Sequence, residues 1–146
     1  MPAPPRIAPL LLAAAALAGC NAAPSRVDYA RPYPVRLSRA ETLNIQVIRQ
    51  GPEITLTNST ARAFGPSTIW LNSRFSYPID GLAVGQTITL DLGRFADENS
   101  DRFKPGGFFA TEIPDLLVLA ELETISQFTG EPELLGMIAV GNRRGE

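Results

Sequence analysis

From residue 40 onward, apolar side chains recur at every second position in short runs, and that period commits the chain to β-strands. Leu43, Ile45 and Val47 alternate with Asn44 and Gln46. Gln50-Gly51-Pro52-Glu53 interrupts the run, and Ile54 and Leu56 then alternate with Thr55 and Thr57. The two runs and their break read as a hairpin. Thr68 to Asn72 is a short strand with Ile69 and Leu71 on one face and Trp70 on the other. Phe75, Tyr77 and Ile79 resume the period after an Asn72-Ser73 turn, and Asp80-Gly81 ends it. In 86–92, Ile88, Leu90 and Leu92 oppose Thr87, Thr89 and Asp91.

The remainder is less regular. A long loop is expected over 93–114, broken by Pro105-Gly106-Gly107 and pinned to the core by Phe95, Phe103, Phe108 and Phe109. In 116–124, Leu, Ala and Glu favour a helix that Pro114-Asp115 would open, yet Leu116, Val118, Ala120 and Leu122 align at period two. A closing hairpin with the apolar run 134–140 is the favoured reading. About seven strands result, and a single antiparallel β-sandwich is the expected all-β solution, because each half-apolar sheet must bury one face. This arrangement resembles immunoglobulin and fibronectin type III domains, with Trp70 in the place of their buried tryptophan. The missing cysteine pair makes the fibronectin comparison the better one. Such a likeness implies architecture only.

The amino terminus reads as a targeting segment. Arg6 precedes an apolar stretch, 7–18, that is shorter than the roughly 20 residues a spanning helix needs. Leu17-Ala18-Gly19-Cys20 follows. This sequence resembles the lipobox of bacterial lipoproteins, which implies lipid transfer to Cys20 and cleavage before it. The expected organisation is a signal peptide over 1–19, a lipidated, proline-containing tether over 20–39, and a β-sandwich domain over 40–146. Removing 19 of 146 residues leaves 127, enough for one domain with its own core. Asn21 stands where an Asp would resemble an inner-membrane retention signal, so an outer membrane, facing the periplasm, is the expected site in a two-membrane cell. Pro24, Pro32 and Pro34 suit an extended tether. Tyr29, Tyr33 and Val35 could pack it along the domain.

Chemistry is limited by what the chain lacks. There is no histidine, and Cys20 is the only cysteine. Histidine-based nucleophile systems, multi-cysteine metal sites and internal disulfides are thereby excluded. With a net charge of −2 and one lysine, the chain has no basic stripe for nucleic acid. No metal or other cofactor is expected. Asp97-Glu98-Asn99-Ser100-Asp101 starts like an EF-hand loop but places Arg102 and Phe108 where glycine and a bidentate Glu are needed. A solvated loop, with Glu112 nearby, is the favoured reading. Glu121 and Glu123 share one strand face and could form an acid–base pair, though keeping a face wet is the commoner role. Trp70, Phe75 and Tyr77 are candidate ligand-binding aromatics for a glycan, or else core. The leading expectation is a non-enzymatic, lipid-anchored envelope protein that binds another envelope protein. A carbohydrate-binding module comes second and a carboxylate-dependent hydrolase third.

Overall fold

The structure, a computed structural model, describes Met1 and residues 27–141. The signal segment 1–19, Cys20 and Asn21 therefore lie outside the described residues. The fold is all-β. Seven strands form: β1 (Arg39–Gln50), β2 (Glu53–Thr57), β3 (Ser67–Leu71), β4 (Phe75–Ile79), β5 (Thr87–Asp91), β6 (Ala120–Ile125) and β7 (Pro132–Val140). Among the described residues, none forms an α-helix, and no helix is long and apolar enough to cross a membrane.

The strands join edge to edge into one mixed sheet, ordered β4-β3-β6-β7-β1-β2-β5 and curled into a half-barrel. The sequence predicts two stacked antiparallel sheets; one sheet forms instead, and β1 pairs with β7 in parallel. A parallel pair needs a long crossover, and the whole domain between β1 and β7 supplies it. The apolar face still has to be covered. Curling brings much of that face onto itself, and the loop after β5 closes over what remains. Leu92, Phe95, Phe103 and Leu117 pack there against Ile45 and Val47 of β1, Ile69 and Leu71 of β3, and Leu122 of β6.

Local turns follow from the sequence. Gly51, at φ +58°, turns β1 into β2, with Val47 opposite Leu56. Asn72 and Ser73 both take positive φ, 55° and 53°, in the β3–β4 turn, a conformation asparagine tolerates better than most residues. The ambiguous stretch resolves as extended chain leading into β6, which pairs antiparallel with β7. Of the four loop phenylalanines expected to be pins, two are not. Phe95 and Phe103 are buried, while Phe108 and Phe109 are exposed.

That division predicts a contrast in stability. Phe103→Ala, which empties a buried ring site against Phe75, should cost about 3–5 kcal/mol in urea denaturation. Phe108→Ala should change stability by less than about 0.5 kcal/mol.

Candidate functional site

The outer face of the sheet, opposite the core, carries an unexpected cluster. The β3–β6 register sets Trp70 opposite Glu121 and Thr68 opposite Glu123, and the β6–β7 register adds Gly136 opposite Glu121 and Leu134 opposite Glu123. Residues 27–38 cross this face as a strap. Arg31 Nη2 donates to Glu123 Oε2 at 2.6 Å and to Thr68 Oγ1 at 3.2 Å. The Trp70 indole N–H donates to the same Glu123 oxygen at 2.6 Å. Arg39 donates to Glu121 Oε1 from Nε at 3.1 Å and from Nη2 at 2.7 Å. The Tyr33 hydroxyl donates to Glu121 Oε2 at 2.8 Å.

Apolar contacts complete the strap. The Tyr33 ring meets Trp70 edge to face at 5.3 Å, and the Arg31 guanidinium lies over the indole at 4.9 Å. Trp70 is thereby 0% exposed, although it points away from the main core. Leu134 is buried beside the same cluster. Gly136 makes room: a Cβ there would sit 2.9 Å from both Arg39 Cδ and Thr42 Oγ1. Burial, and then the bond to the Glu121 carboxylate, push the Tyr33 phenol above its ordinary value. Farther along, the Tyr29 hydroxyl donates to the Arg94 carbonyl and its ring meets Tyr77 at 5.5 Å. The Val27 N–H donates to Ser100 Oγ at 3.1 Å. Val35, by contrast, is exposed.

These positions correct the sequence reading of Glu121 and Glu123. Glu121 is 1% exposed, so it does not keep a face wet. Both carboxylates are held by arginine and by a second donor, so their oxygens are already committed to fixed partners within the fold. The aromatic trio does not form one platform. Trp70 lies beneath the strap, while Phe75 and Tyr77 project to the opposite, core side, against Phe103 and Phe95, with Tyr77 on the edge strand β4, where Tyr29 of the strap also meets it. One sheet separates them because β3 and β4 pair Leu71 with Phe75 and Trp70 with Ser76.

The acidic loop is also more structural than a solvated reading implies. Asp97 is 3% exposed. Its Oδ2 accepts from Arg74 Nε and Nη2 at 2.9 and 2.7 Å, and its Oδ1 from the backbone N–H of Asn99 and Asp101, each at 2.9 Å. Burial opposes ionisation of Asp97, but Arg74 and those backbone donors outweigh it and hold the carboxyl below its usual range. Glu112 pairs with Lys104 at 3.1 Å instead of joining this loop. Among the described residues, no group of three or more His, Cys, Asp or Glu side chains is gathered for a metal ion.

No family model, no curated protein and no solved structure matches this chain.

The residues that sequence reasoning missed are mainly arginines: Arg31 on the strap, Arg39 at the start of β1, and Arg74 at the acidic loop. One signal for the strap was present. Arg31 and Tyr33 stand two apart, as do Glu121 and Glu123, so an extended segment laid across β6 can match donors to carboxylates.

Arg39→Ala should cost about 2 kcal/mol in chemical denaturation, because it leaves Glu121 buried without its cation. Arg31→Ala should cost about 1 kcal/mol, since Glu123 is more open to water. Both should red-shift Trp70 emission. Because the folded pKa of Asp97 is lowered, its stabilising effect is complete above the unfolded value of about 3.9 and is lost as pH falls through the folded value. Asp97→Asn should therefore weaken the acid dependence of the urea midpoint.

Proposed function

We propose that this chain is a non-enzymatic, lipid-anchored protein of a bacterial cell envelope, cleaved before Cys20, whose β domain binds another envelope protein. The lipobox-like Leu17-Ala18-Gly19-Cys20 supports the anchor. Asn21 supports the periplasmic face of an outer membrane in a cell that has two. The engagement of Glu121 and Glu123 by the strap, together with the lack of histidine, speaks against acid–base catalysis by that pair.

The observation that carries the binding half is the difference between the two sheet edges. At β4, Ser76 exchanges backbone hydrogen bonds with Ala96 at 2.8 and 3.1 Å, so that edge is partly covered. At β5, no strand pairs with the outer side among the described residues. Thr87 and Thr89 are exposed, and Ile88 and Leu90 are only half-buried. An open, regular edge without lysine or proline is a template for an added strand.

A photo-crosslinking residue at Thr89 should capture one envelope protein in native cells. The same residue at Asn99, in the acidic loop, should not capture it. The adduct should vanish in Cys20→Ser, which cannot be lipidated. Absence of any adduct at Thr89, or equal capture at both positions, would overturn the adaptor reading.

A further inference from the structure

We infer that the loop tip bearing Phe108 and Phe109 inserts into the same bilayer leaflet that holds the Cys20 lipid, an inference that rests on the anchor proposed above. The two rings are 96% and 90% exposed and meet edge to face at 5.0 Å. Large apolar side chains left this open gain free energy wherever they can leave water, and aromatic rings favour the membrane–water interface.

The tip stands on a fixed base. The Lys104 N–H donates to Asp115 Oδ2 at 2.8 Å, and the Asp115 N–H donates to the Lys104 carbonyl at 2.9 Å. Arg49, reaching from β1, donates to the carbonyls of Asp115 and Pro105, each at 2.7 Å. Gly106 takes φ +77° and lies so near Pro114 that a Cβ would come within 2.8 Å of the proline Cβ. The chain is pinched at 104–106 and 114–115, so the residues between them project outward.

Chain length places this tip near a membrane. Seven residue steps separate Cys20 from Val27, and such a segment reaches about 25 Å at most. The strap enters the described fold at the same end as the tip. Val27 is held by Ser100 and Tyr29 by Arg94. Arg102, two residues from Ser100, and Gly93, next to Arg94, line a cleft of about 580 Å³ that Phe109 also lines. A lipid on Cys20 therefore keeps the bilayer within reach of the two rings. Nearby charges balance: Arg94, Arg102 and Lys104 stand among Glu98, Asp101 and Glu112. Apolar insertion, and not attraction to anionic headgroups, is then the driving force.

The test uses the mature lipidated chain. Lipid blocks the Cys20 thiol, so Phe108→Cys offers a unique site for an environment-sensitive fluorophore. In neutral phosphatidylcholine vesicles, emission from position 108 should rise severalfold and shift to the blue, and Phe109→Ser should reduce that rise. A label at Asn44→Cys, on the exposed outer face of β1, should stay water-like. Protein that floats with the vesicles while position 108 stays as wet as position 44 would overturn the insertion and leave the anchor standing. A response confined to native envelope membranes would also overturn it, by assigning the tip to a protein partner. A mature chain shown by mass to carry no lipid on Cys20 would remove both the anchor and the insertion.

Discussion

Glu121 is a carboxylate taken out of water on a sheet face that would otherwise be the wet one. A charge in that position must be met by a cation and by hydrogen-bond donors, or the cost of desolvation falls on the fold. Arg39 and Tyr33 meet it, and both lie at or just before the first residue of β1. Much else follows from that pairing. The strap has to cross β6 to bring Tyr33 into place. Crossing there lays Arg31 and Tyr33 over Trp70 and brings Arg39 across Gly136, where a side chain would obstruct it. The outer face thus acquires a small second core, with Trp70 and Leu134 buried outside the main one.

Much of the β architecture was legible in the sequence because a period of two states directly which residues face inward. Ile45, Val47, Ile54, Leu56, Ile69 and Leu71 alternate in the sequence and all join the core. The number of sheets was not legible. Periodicity says that an apolar face exists, but not whether a second sheet, the curl of the same sheet or a loop covers it. Phe95 and Phe103 supply part of that cover from a segment with no period at all. Their sequence neighbours Phe108 and Phe109 have the same composition and the opposite environment, because the pinch at Lys104 and Asp115 turns the chain outward between them.

The candidate site was the least legible part. Trp70, Phe75 and Tyr77 are close in sequence, but adjacent antiparallel strands put the first on one face and the other two on the opposite one. Glu121 and Glu123 were visible as a same-face pair. Their meaning depended on a segment about 90 residues earlier that has no secondary-structure signal of its own. Long-range pairing of isolated charges leaves little local trace. The one hint, matched two-residue spacing of donors and acceptors, gains meaning only once an extended crossing is assumed. The acidic loop misled for a related reason: its oxygens suggest a cation, and the cation that answers Asp97 is the guanidinium of Arg74.

The strap also has a mechanical meaning on the proposed anchoring. Tension from the membrane would enter at Val27 and meet its holds one after another: Ser100, then Arg94, then Glu123, then Glu121. Contacts arranged in series peel singly, each at low force, whereas a β-ladder pulled along its length must shear several bonds together. Peeling residues 27–38 would release roughly 40 Å of chain before the load reached β1. That strand is hydrogen-bonded on both sides, to β2 and to β7. On that anchoring, the strap is the first part of the fold to meet a pull, and the sheet the last.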